Sequence, residues 1–232
     1  MVLRVRVSMP DRPGALGQVA RVLGISGADI VQVVVLQRLA GRAVDDFTVV
    51  WPPRAQVERL LEGLAAMPGV RVDGIWSVAG TPLIASHDAQ LLAQIATHPS
   101  DGVATLVDAV PALLAADWAA AVAVPPDWAE RDRSGAPVVV RSSLRAGEPP
   151  VVPEVSPLGV RSLAGPGQER YAVAPFERAG LVLVAARVHG GHLPPAAFHP
   201  SEVDRLAQLV RAAAAVLAER LERMVSAASA SA

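Results

Sequence analysis

The residues best placed to do chemistry are Asp11, Arg12, Pro13, Gly14, Ala15 and Leu16. They stand between an alternating apolar strand and a stretch with helical spacing. A turn fixed by Pro13 and Gly14 and followed by a helix leaves backbone N–H groups without intrahelical acceptors. With the positive end of the helix dipole, those donors can hold a small anion such as a carboxylate. Asp29 and Ile30, in the run Gly27-Ala28-Asp29-Ile30, open the next strand, and the expectation is that Asp29 lies close to the same turn.

The elements that position these residues follow from periodicity. Leu3, Val5 and Val7 alternate with Arg4, Arg6 and Ser8, as in a strand with one buried face. Leu16, Val19, Ala20 and Leu23 then fall on one helical stripe that stops near Gly24. Ile30 to Gln37 is rich in β-branched residues, Gly41 marks a turn, and Val44 to Trp51 returns as a third strand ended by Pro52 and Pro53. Val57, Leu60, Leu61 and Leu64 predict a second helix, Pro68-Gly69 stops it, and a fourth strand runs from Val70 to about Val78. The order βαββαβ predicts an α+β fold, two helices on one face of a four-stranded antiparallel sheet in the ferredoxin-like manner.

The pattern from Val5 to Val35 resembles the ACT domain, a regulatory module that commonly binds amino acids; the likeness extends over residues 1–78. It rests on the Asp-Arg-Pro-Gly-Ala-Leu turn and on Gly-Ala-Asp-Ile at the second strand. The resemblance implies that turn amides hold a ligand carboxylate and that Asp11 and Asp29 contact its polar groups. It further implies that Gly14 lets the backbone come close, and that two copies pair with ligand between them. Aspartate at both polar positions favours an ammonium and repels a carboxylate unless N–H donors offset it. A plainer reading stands beside this one: Asp11 caps a turn, Asp29 tops a strand, and no ligand binds.

Residues 79–86 read as a linker, and 87–225 as a second domain. Helical stripes at Leu91, Leu92, Ile95 and at Val103, Leu106, Val107, Val110 precede a strand from Asp117 to Val124 and another at Val138-Val139-Val140. Arg145 to Gly167, dense in Pro and Gly, predicts a long loop. Strands follow at Tyr171–Ala174 and Leu181–Val188. In Phe198-His199-Pro200-Ser201-Glu202-Val203-Asp204, Ser201 is the expected N-cap with Asp204 at the capping-box position. This motif after Gly180-Leu181-Val182-Leu183-Val184, with Leu113-Leu114-Ala115-Ala116-Asp117-Trp118 upstream, resembles the GAF domain. The resemblance implies a six-stranded antiparallel sheet with flanking helices and a pocket on one face. Val203, Leu206, Val210, Ala213, Leu217, Leu221 and Met224 continue as a helical stripe whose far end suggests pairing with a second copy or with the first domain. Residues 226–232 read as a mobile tail of small residues.

Composition narrows the function classes. The chain has 232 residues, 52% hydrophobic and 19% charged, with a net charge of −1, which offers no global field for nucleic acid. Cysteine and lysine are both absent, so thiolate, Schiff-base and phosphate-loop lysine chemistry are excluded. No apolar run approaches the length of a membrane span and the N-terminus lacks a signal-peptide core, so a cytoplasmic, membrane-free protein is expected. His189-Gly190-Gly191-His192 lacks helical metal-ligand spacing, the charge run from Asp127 to Arg133 reads as a solvated turn, and Ser142-Ser143 lacks the elbow glycines of a hydrolase. The expectation is a non-catalytic sensor of a small molecule, with an amino acid foremost, needing no cofactor or metal. It would be homodimeric and act on an unidentified protein in trans. An assembly scaffold without ligand is the alternative.

Overall fold

The computed structural model describes residues 1–78, 86–124, 137–143, 150–155, 158–176, 180–188 and 194–230, with 86, 219 and 222–230 in backbone alone. The fold is α+β, with two antiparallel sheets and five helices among the described residues. The chain divides into two compact units: Met1–Pro82 with Val188–Ala196, and Leu83–Arg187 with Ala197–Ala232.

The first unit runs β1 (Val2–Pro10), α1 (Ala15–Ile25), β2 (Asp29–Leu39), β3 (Arg42–Val50), α2 (Val57–Ala65) and β4 (Arg71–Val78). Its sheet order is β2-β3-β1-β4, every neighbouring pair antiparallel. Leu3, Val5, Val7, Met9, Phe47 and Val49 face the helices and build the core with Val19, Leu23, Leu60 and Leu64. The buried stripe of α1 is Ala15, Val19 and Leu23: Val19 and Leu23 are as expected, but Ala15 takes the place of Leu16, which stays 42% exposed. The opposite sheet face is buried as well: Arg6 makes a forked contact of 2.7 Å to each oxygen of Asp46, and Arg4 Nε lies 3.1 Å from Oδ2. The alternation in β1 therefore separates an apolar face from a buried charged one, not a buried face from a wet one.

Segment Val188–Ala196 groups with this first unit, although the sequence reads it as part of the second domain. Gly74 on β4 makes the approach possible, since a Cβ there would stand 2.5 Å from the Ala196 nitrogen. That absence of a side chain is invisible to hydrophobic periodicity.

The second unit comprises α3 (Ser86–Thr97), α4 (Gly102–Leu114), β5 (Trp118–Ala123), β6 (Val138–Ser142), β7 (Arg161–Ala164), β8 (Arg170–Phe176), β9 (Leu181–Arg187) and α5 (Pro200–Ala230). Its sheet is five-stranded among the described residues, in the order β6-β5-β9-β8-β7, against the six expected. β7 forms within the region expected to be loop; Gly159 and Gly165 bracket four residues that pair with β8. Alanines alternate through β5 (Ala119, Ala121, Ala123) and β8 (Ala172, Ala174) on the face where α4 and α5 pack, and α3 packs on those two helices.

The cap of α5 differs from expectation. Pro200 takes the first helical position, where its missing N–H costs nothing, which moves the cap to His199. Glu202 Oε2 then accepts from the His199 N–H at 2.8 Å, the role assigned by sequence to Asp204. Glu202 also accepts from buried Arg187, whose Nη2 donates to the Leu114 carbonyl at 2.7 Å as well. The stripe Val203, Leu206, Val210, Ala213, Leu217 and Leu221 is buried in the core of its own unit, so packing within the chain accounts for it that far. The backbone stays helical to Ala230, past the start of the expected tail at residue 226, in keeping with alanine's high helix propensity.

Candidate ligand site at the first helix

β1 ends at Pro10, and the Asp11 N–H donates to the Gly41 carbonyl at 2.8 Å, pinning the turn to the β2–β3 hairpin. The Arg12 N–H returns to the Pro10 carbonyl at 3.0 Å, and the Ala15 N–H donates to the Arg12 carbonyl at 3.2 Å. Gly14 caps α1 in the left-handed region at φ 85°, with no side-chain cap. A residue with Cβ is strained there, which is the physical reason for glycine. The first bond of the next turn runs from the Gln18 N–H to the Gly14 carbonyl. The amides of Gly14, Leu16 and Gly17 thus have no acceptor among the described residues. These are the orphan donors of a helix start, and no side chain among the described residues satisfies them.

The turn opens onto a cavity of about 350 Å³. Asp11, Arg12, Pro13, Gly14, Ala15 and Leu16 all line it, together with Met9 and Pro10. The remaining wall comes from the sheet: Val35 and Arg38 on β2, Ala43 and Asp45 on β3. The cavity therefore combines an apolar lining with both signs of charge.

Asp29 and Ile30 are not part of it. Pro10 pairs with Arg42 at one end of β3, whereas Asp29 pairs with Val50 at the other, roughly 26 Å away at strand rise. Eleven residues of α1 carry the chain back along the sheet before β2 begins, so the Asp29 end is opposite the turn within one chain. Ile30 is half-buried against the core, and Asp29 is exposed.

Asp11 does not stand free either. Arg38 grips it with Nη2 at 2.8 Å from Oδ1 and Nε at 3.0 Å, and this hydrogen bonding raises the pKa of the guanidinium above its ordinary value. The Arg38 side chain is 67% exposed, so the pair forms a rim in contact with water.

The acid that sequence reasoning missed is Asp45. It is 3% exposed, and its Oδ1 is buried without a hydrogen-bond partner among the described residues. Burial raises its pKa, the neighbouring Asp46 charge raises it further, and Arg38 pulls in the opposite direction. A signal was present: in β3, Asp45 shares the inward parity of Ala43, Phe47 and Val49, and an acid on a core face calls for an explanation.

Other constellations carry less. Ser143 is buried, and its hydroxyl accepts from the Ala119 N–H at 3.4 Å. Glu169 fills the turn at Gly167, accepting from that amide. Among the described residues no cluster of three His, Asp or Glu side chains could hold a metal. His189, His192 and the Asp127–Arg133 run lie outside the described residues, as does most of the expected linker. No helix among the described residues is long and apolar enough to cross a membrane.

No family model matches the sequence, and no curated protein does. Solved structures do resemble it. A formyltetrahydrofolate deformylase from Pseudomonas putida KT2440 is 16% identical over 42% of this chain and 39% of its own, with a TM-score of 0.29. This chain thus spans about two fifths of the deformylase's length. The GAF domain of a protein described as a sensor histidine kinase, from Pseudomonas syringae pv. tomato, is 16% identical over 63% of this chain and 94% of its own, TM-score 0.39. An unknown protein from Galdieria sulphuraria is 12% identical over 94% of this chain and 92% of its own, TM-score 0.32.

Proposed function

We propose that this chain is a non-catalytic regulatory protein that senses a small zwitterion, foremost an α-amino acid, at the Asp11–Leu16 turn. The observation that carries the reading is the acceptor-free amides of Gly14 and Leu16, which line a cavity with buried Asp45, with the acceptor-free amide of Gly17 next in α1. Amide donors at a helix start suit a carboxylate, and the acids nearby suit an ammonium. Ligand binding favours one conformation of the first unit, and the GAF-like second unit relays that population shift to a protein partner in trans.

The protein acts as a homodimer in this reading. Val31, Val33 and Val35 are exposed on edge strand β2, a surface open to pairing with a second copy. Asp29 could then serve only the partner copy's turn, because its own lies at the far end of the sheet.

The test is a thermal-shift screen of the full chain against the twenty proteinogenic amino acids. At a hundredfold excess over Kd, binding adds about 2.7 kcal/mol to the folded state. For a chain of this size that is a rise of roughly 5–10 °C. No rise with any of them at millimolar concentration contradicts the sensing proposal.

A second reading, an assembly scaffold without ligand, is favoured by one observation: Asp11 is already occupied by Arg38. It expects a stable dimer, unresponsive to amino acids, whose assembly is indifferent to Asp11→Ala.

A further inference from the structure

β3 carries two adjacent aspartates, which the pleat sends to opposite faces of the sheet. Asp46 is fully buried and satisfied by Arg6, with Arg4 beside it. Asp45 is buried almost as deeply on the other face, yet no arginine among the described residues makes a hydrogen bond or ion pair with it. Its cross-strand neighbours are Val7 on β1 and Val35 on β2, both apolar. The charged groups around it are Arg38, Asp11 and Asp46. Arg38 is committed to Asp11 by its forked hydrogen bonds, and Asp46 is held on the far face.

A buried carboxylate oxygen without a donor is costly, and a protein that keeps one on an otherwise apolar strand face places it where a donor can arrive. Asp45 lines the cavity, so the donor can come from outside the protein. Because an ionised carboxylate accepts and never donates, the matching group is a hydrogen-bond donor, and a cationic one above all because it also offsets the buried charge. The free amides of Gly14, Leu16 and Gly17 call for the opposite charge at the turn.

We propose that Asp45 is the amine-recognising residue of this cavity, accepting from the protonated amino group of a ligand whose carboxylate lies on the turn amides. The inference rests on the sensing function proposed above and narrows it. The role that family resemblance assigns to Asp11 passes to Asp45, and Arg38 is what displaces it. The ligand class becomes primary-ammonium carboxylates, and the 2-hydroxy acids of the same carbon skeleton bind more weakly because their neutral hydroxyl can donate to Asp45 but brings no charge to offset it.

Isothermal titration calorimetry on the full chain tests this. The probes are the twenty proteinogenic amino acids and, for each one that binds, the 2-hydroxy acid with the same skeleton. The wild-type protein is expected to prefer the amino acid by roughly 10- to 100-fold, the advantage of a charged donor over a neutral hydroxyl at a buried carboxylate. Asp45→Asn is expected to abolish most of that preference and to leave the hydroxy acid's affinity where it was. Equal affinities for the two probes in the wild type overturn the inference, and this comparison needs no variant to fold. An unchanged amino-acid affinity in folded Asp45→Asn overturns it too. Both results leave a carboxylate site at the turn intact. Silence from every amino acid is a different failure, because it removes the sensing function and the role of Asp45 together.

Discussion

Replacing glycine by alanine at two positions three residues apart is expected to change stability in opposite directions. Gly14 and Gly17 are both exposed, and a Cβ built on either meets nothing within 4 Å, so sterics do not distinguish them. Backbone conformation does. Gly14 sits at φ 85°, where an L-residue with a side chain costs about 1–2 kcal/mol, and alanine is also a poor cap. Reduced freedom of the unfolded chain returns about 0.4–1 kcal/mol of that. The net expectation for Gly14→Ala is a loss of about 1 kcal/mol. Gly17 lies within α1, where alanine is better by about 0.8–1.0 kcal/mol, so Gly17→Ala should gain that much. The gap between the two variants is then about 2 kcal/mol. Native-state hydrogen exchange read by mass spectrometry on peptides from β1 and β3 measures it for the first unit without assuming that the whole chain unfolds together. If Gly14→Ala stabilises as Gly17→Ala does, Gly14 is not left-handed, and the turn cannot present its amides as described.

Three further outcomes follow from the charges. Asp46→Asn should cost about 3–5 kcal/mol, because it leaves Arg4 and Arg6 buried without a carboxylate; urea unfolding followed by tryptophan fluorescence reads this. Arg38→Gln should leave the urea midpoint nearly unchanged, since its ion pair with Asp11 is in contact with water, and the same titration checks it. Asp45→Asn should stabilise the ligand-free protein at neutral pH. The folded pKa of Asp45 lies above the ordinary 3.8, so the wild-type residue contributes most below 3.8 and loses that contribution as pH rises through the folded value. The variant's advantage should therefore shrink as pH falls toward 3.8, which urea midpoints at a series of pH values will show; a constant advantage contradicts a desolvated Asp45.

Much of the first unit was legible because its periods change cleanly. Alternation through Leu3–Ser8 gives β1, three- and four-residue spacing gives α1 and α2, and glycine or proline stops each element. What periodicity cannot report is which end of a strand meets which turn. Asp29 is near Gly14 in sequence, but a helix of eleven residues returns the chain along the sheet, and β2 starts at the far end. Nor can it report side-chain reach: Arg38 claims Asp11 across twenty-seven positions of sequence. Apolar spacing puts Leu16 on the core stripe; Ala15 fills that place instead, and Leu16 becomes a wall of the cavity. β7 was hidden for a related reason, since Gly159 and Gly165 advertise a loop while four residues between them complete the sheet edge. Asp45 could have been found, for it breaks the inward apolar parity of β3.

The central claim is that the turn after β1 presents main-chain donors to a small carboxylate-bearing molecule. Its most direct test follows the backbone amide resonances of Gly14, Leu16 and Gly17 in ¹⁵N-labelled full-length protein while each proteinogenic amino acid is added to millimolar concentration. With at least one of them, those three amides should move together and saturate along a single binding curve, well ahead of the amide of Asp29. If they stay fixed throughout, or move only when Asp29 does, the site is not where the account places it.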